Sequence, residues 1–212
     1  MQTFISVLML LLIFWVSPAN AVAPVNGEAI EDARTYGFTK KLLDIHEFLS
    51  PWTAYEENAV KISEATDRAV CYTPFLLIAN DAREKAKVNK SVNLADIEKL
   101  LADYAGYYTF TVILQGSTAD FAEQASVVIV QDKKTIPAYD IAVTTAESVN
   151  VPVGEKPRYR ARMYIYFHAK DIVASQPIVL KVTTSGKDTK DSKDSKDSKE
   201  GYSFYFDLAK IK

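Results

Sequence analysis

The sequence predicts an α+β protein in which a helical N-terminal region packs on a C-terminal antiparallel β-sandwich of immunoglobulin-like architecture. Three observations predict it. Apolar residues before Gly106 recur at helical spacing, those after it alternate with a period of two, and no helical pattern separates the later runs. A chain of 212 residues with 48% hydrophobic side chains has enough apolar material for a sizeable core.

The first element is an export signal. Phe4 to Val16 is an apolar run, and Ala19-Asn20-Ala21 behind it is the small-x-small triplet that precedes signal cleavage. Residues 1–21 are therefore expected to leave the chain after Ala21, although Met1-Gln2-Thr3 lacks the usual basic residue. The run is shorter than the ~20 apolar residues that span a bilayer, so no membrane span is expected after cleavage. The expected location is periplasmic or secreted. A lone cysteine, Cys71, suits a bacterial envelope, while the sequon Asn89-Lys90-Ser91 would matter only in a eukaryotic secretory route.

Residues 22–105 read as the helical region. Leu42, Ile45 and Leu49 form one stripe, over roughly Thr39 to Leu49, which Pro51 stops. Thr53-Ala54-Tyr55-Glu56 fits a capping box, followed by a stripe of Tyr55, Ala59, Ile62 and Ala69. Pro74 suits a first helical position and opens a stripe of Phe75, Ile78, Ala79, Ala82 and Ala86. Asn93 caps a last helix bearing Leu94, Ile97, Leu101 and Tyr104, with Gly106 placed for a left-handed C-terminal turn.

Residues 106–212 read as the sandwich. Tyr108, Phe110, Val112 and Leu114 share one face of the first strand. Ser126 to Val130 and Asp140 to Val143 are short strands. Tyr159, Ala161, Met163, Ile165 and Phe167 point inward from Arg158 to Ala169. Ile178, Leu180 and Val182 form one further inner face, and Tyr202, Phe204, Phe206 and Leu208 another. Between these last two lies DTKDSKDSKDSK, residues 188–199, without an apolar side chain. It is expected as a mobile charged loop over 187–200, and its lysines neutralise any cation site its aspartates could build.

Composition and motifs restrict function. A net charge of −2 argues against nucleic acid as a partner. One cysteine and two histidines, His46 and His168, leave little for a metal centre, and neither a metal nor a cofactor is expected. Cys71 with a histidine is the sole nucleophile–base combination of the thiol type, but a free cysteine is ordinarily buried. Neither GxSxG, HExxH, a phosphate-binding loop nor GxGxxG occurs. Carboxylate neighbours such as Glu56-Glu57 and Glu28 with Glu31-Asp32 read as charged helix surface. The candidate binding residues are the outward side chains of one strand: Arg158, Arg160, Arg162, Tyr164, Tyr166 and His168. Three guanidiniums followed by two phenols and an imidazole make a ridge suited to anions, sugars or peptides. The expected function is an exported, non-catalytic binding or interaction module with a protein, peptide or glycan partner. The alternative is a small exported hydrolase with scattered active-site residues.

Overall fold

In a computed structural model, residues 26–63, 65–151, 157–185 and 199–212 are described. The expected export signal over 1–21 and nearly all of the charged tract over 187–200 lie outside them. The order is α1 (Gly27–Thr39), α2 (Ile45–Leu49), β1 (Thr53–Tyr55), β2 (Arg68–Tyr72), α3 (Pro74–Lys87), α4 (Leu94–Asp103) and β3 (Tyr107–Gly116). There follow β4 (Ser126–Gln131), β5 (Lys134–Pro137), β6 (Asp140–Val143), β7 (Glu147–Val149), β8 (Arg158–His168), β9 (Pro177–Ser185) and β10 (Lys199–Asp207).

Two antiparallel sheets hold the strands. The larger runs β1-β2-β3-β8-β6, with β7 also paired to β8, and the smaller runs β10-β9-β4-β5. Between them the two inner faces meet. Phe110, Val112, Leu114, Met163 and Ile165 of the larger sheet share one buried apolar cluster with Ile129, Leu180, Val182, Phe204 and Phe206 of the smaller. Each such side chain contributes roughly 1.5–3 kcal/mol by leaving water, so the inter-sheet core dominates the fold. The alternation in the sequence specifies these faces, because a one-residue slip would turn each set outward.

The helices form a second, smaller core on the other side of β2. Ala33 of α1, Phe48 of α2, Trp52, Leu76, Ile78 and Ala79 of α3, and Ile97 of α4 enclose Val70. Thr73 caps α3 by accepting from the Leu76 N–H at 3.2 Å, and Asn93 caps α4 by accepting from Asp96 at 2.8 Å. The cap at Asn93 and the helix start at Pro74 match the sequence reading. At Gly37, α1 approaches α3 so closely that a Cβ would lie 2.1 Å from the Ala79 carbonyl oxygen. Arg83 crosses the same layer, donating to the Leu43 carbonyl at 2.7 Å and lying 4.9 Å over the Phe48 ring.

Two expected helices are corrected. The stretch from Thr39 to Leu49 is a turn followed by the short α2, because Asp44 accepts from the His46 N–H and starts a new helix there. The capping box at Thr53 does not form: Thr53 to Tyr55 pairs as β1 with β2, which pairs in turn with β3. Glu56 consequently lies in the turn after β1, where it accepts from the Asn58 N–H, and Glu57 donates its N–H to the Ser203 carbonyl of β10 at 3.0 Å. Among the described residues, no helix is long and apolar enough to cross a membrane.

Candidate functional site

The outward side chains of β8 lie across the larger sheet in register with their neighbours. One row reads Tyr72, Thr109, Tyr166 and Asp140, the next Val70, Thr111, Tyr164 and Ala142, and the next Arg68, Ile113 and Arg162. Helices α2 and α3 lie over the β1–β2 side of this face and border it as far as Thr111 of β3 and Tyr164 of β8. Arg158, Arg160 and Arg162 are exposed, and Tyr164, Tyr166 and His168 are half-buried. Glu147 sits opposite Arg160 on β7. Even so, none of the three guanidiniums forms an ion pair among the described residues.

The six residues share the face but not one site. At ~3.3 Å per residue, β8 separates Arg158 from His168 by ~33 Å. Arg162 and Tyr164 line a groove of about 220 Å³ beneath the α2 end, together with His46, Tyr55, Arg68 and Tyr72. Burial pushes the Tyr72 phenol up, the Thr111 hydroxyl pulls it back, and Tyr164 adds to the rise. This groove has two guanidiniums and no carboxylate among its lining residues.

Tyr166 lines a second concavity, of about 180 Å³, with Tyr104, Tyr107, Tyr139, Asp103 and Asp140. Its floor is Thr109, whose hydroxyl is buried and meets no hydrogen-bond partner among the described residues. Leaving such a group dry costs ~1–3 kcal/mol. The walls come from three places. Asp103 ends α4 and Tyr104 caps it. Gly106 then turns at φ +84°, which a side chain would resist, and delivers Tyr107 to the first position of β3. Tyr139 and Asp140 arrive on the other edge, where the Tyr139 N–H donates to the Tyr166 carbonyl at 2.8 Å. The rings pack closely: Tyr107 is 5.6 Å from Tyr139 and 6.5 Å from Tyr166, and His168 is 4.3 Å from Tyr139. Burial pushes the Tyr104 phenol up, and nearby Tyr166, Tyr72 and Asp103 push it further, so it stays a neutral phenol at physiological pH.

The pocket's carboxylates and three of its phenols escaped the sequence reading. Tyr107 and Tyr108 are adjacent, and alternation alone sends one outward; that much was available. Which residues of α4 and β6 meet it depends on register and on the turn at Gly106.

Cys71 faces the inter-sheet core, fully buried, with its thiol pushed up to about 12 by burial. His46 and His168 belong to the opposite face of the larger sheet. The structure therefore brings no imidazole to the thiol. Among the described residues, no group of three histidine, cysteine or acidic side chains is placed to hold a metal ion. No protein-family model matches the chain, and no curated protein matches it.

Proposed function

We propose that the chain is an exported, non-catalytic binding module of the periplasm or cell surface. Its recognition surface is the outer face of the larger sheet, and its two sheets form a sandwich of immunoglobulin-like architecture beneath a helical cover. The observation that carries this reading is the unpaired row of Arg158, Arg160 and Arg162 beside half-buried tyrosines. Arginines that serve only solubility usually meet carboxylates across neighbouring strands, and here an opposite Glu147 is left unused. Unpaired guanidiniums with an aromatic floor suit an extended anionic chain, an acidic peptide or an acidic glycan. The reading of a hydrolase has no comparable support, since the thiol is buried away from both histidines.

A paired measurement tests it. Exposed arginines contribute at most ~1 kcal/mol to stability, so Arg160→Ala and Arg162→Ala should melt close to the parent protein. On immobilised polyglutamate or an acidic glycan the same variants should elute earlier, because truncating an interface arginine costs ~2 kcal/mol or more. Stable variants with unchanged retention would return the row to ordinary wet surface.

A further inference from the structure

We propose that the concavity walled by Tyr104, Tyr107, Tyr139 and Tyr166, with Asp103 and Asp140 at its rim, binds a methylated ammonium head group. The proposal deepens the binding reading above by naming what one end of the same sheet face takes.

The lining chemistry selects the ligand. Four phenols surround a space bordered by two carboxylates and by no lysine or arginine. Phenol faces carry negative potential, and a cation desolvated against several of them is held by that potential together with the carboxylates. An anion would meet two like charges. A hard metal ion would need six or more oxygen ligands, whereas these walls are mostly ring. A soft organic cation fits both components.

Placement supports the same conclusion. Asp103 is the last residue of α4, where the free carbonyls of the helix already carry negative potential, and no basic residue occupies that last turn. A carboxylate there works against the helix. Neither Asp103 nor Asp140 forms an ion pair among the described residues. A bound cation would answer the two carboxylates and the helix end together. The buried, unpartnered hydroxyl of Thr109 on the floor asks in addition for a hydrogen-bonding atom close to the charge. The space of about 180 Å³ is smaller than the ~300–1,000 Å³ of pockets that swallow whole ligands, so it takes a head group while the stem stays outside.

Calorimetric titration of the full chain with choline, tetramethylammonium and the uncharged tert-butyl analogue of choline tests the proposal. Both cations should bind, and the uncharged analogue roughly tenfold more weakly or worse. Tyr139→Ala removes an exposed ring, and Asp103→Asn removes the carboxylate at the helix end. Each should weaken choline roughly tenfold. Asp103→Asn should do so with a Tm equal to or above that of the parent, a combination that a structural role for Asp103 does not produce. Glycerophosphocholine and trimethyllysine carry the same head group on different stems, and binding of either supports the proposal while separating a lipid-derived source from a peptide-derived one. Equal affinity for the uncharged analogue, unchanged choline affinity in both variants, or no heat with any cation at about 50 mM would overturn it. These outcomes are independent of retention on polyglutamate, so the pocket and the arginine row stand or fall separately.

Discussion

Gly37 sets the separation of α1 and α3, since nothing larger than its hydrogen fits against the Ala79 carbonyl and the Ala82 methyl. In Gly37→Ala the new methyl must push the helices apart, and overpacking of this kind costs ~1–3 kcal/mol. Chemical denaturation should show that loss, although alanine favours an isolated helix over glycine. Two other buried residues predict a response to alkali. Burial holds the Cys71 thiol and the Tyr108 phenol protonated up to about 12, above their ordinary values. The unfolded chain gives up these protons first as pH rises, so folded stability is full below about pH 9 and falls between there and about 12. Melting curves across that range should drop more steeply for the parent protein than for Cys71→Ala. Equal slopes would show that the thiol does not contribute.

At the scale of elements, legibility depended on whether an element has one polar face. β8, β9 and β10 alternate because water on the other side imposes a period of two. β3, although covered on both faces from Tyr108 to Val112, was readable because its outer positions are the threonines Thr109 and Thr111. In β2 the alternation is absent, since Ala69 and Cys71 face the inter-sheet core while Arg68 and Val70 lie under the helices. With apolar side chains on both faces, β2 has no period to read, and a chance helical spacing from Tyr55 to Ala69 filled the gap. The helix α1 was missed for a related reason: its buried positions are Ala33 and Gly37, too small to register as an apolar stripe. Of the candidate site, the row on β8 was legible because it lies within one strand. The acidic pocket was not, because it is assembled from α4, β3, β6 and β8. The connection from β9 to β10 supplies a prediction at this scale. Ser185 pairs with Lys199, so an Asn-Gly turn in place of residues 186–198 would close a two-residue hairpin. Loop length changes closure entropy slowly, and Tm should shift by the equivalent of less than ~1 kcal/mol. A larger drop would mean that the charged tract packs on the fold.

For the whole molecule, the two cores are tied together at the C-terminal residues. Ile211 packs against both clusters, and the Lys212 carbonyl accepts from Trp52 Nε1 at 2.7 Å and from the Thr73 hydroxyl that also caps α3. Removing Ile211 and Lys212 takes away one link between the helical layer and the sheets, which also meet through β2, and leaves Trp52 Nε1 without its partner. The expected cost is ~2–4 kcal/mol. Trp52 is the sole tryptophan beyond residue 21, so its fluorescence reports on this junction while circular dichroism reports on the sheets. In the intact chain the two signals should change together on denaturation. In the truncated chain the tryptophan signal should move first, and coincident transitions would show that the cores are coupled elsewhere.

The single bond from the Glu57 N–H to the Ser203 carbonyl has a consequence for colloidal behaviour. β10 is an outer strand of nine residues, paired on one side with β9, whereas the other sheet margins are strands of three or four residues. Long outer strands are templates on which another chain can add by main-chain hydrogen bonding, and short ones are not. The segment after β1 stands over the middle of that margin and uses one of its acceptors. Loosening this segment would expose the template without exposing any apolar core, so the first failure on mild heating should be filament growth through strand addition rather than amorphous precipitation.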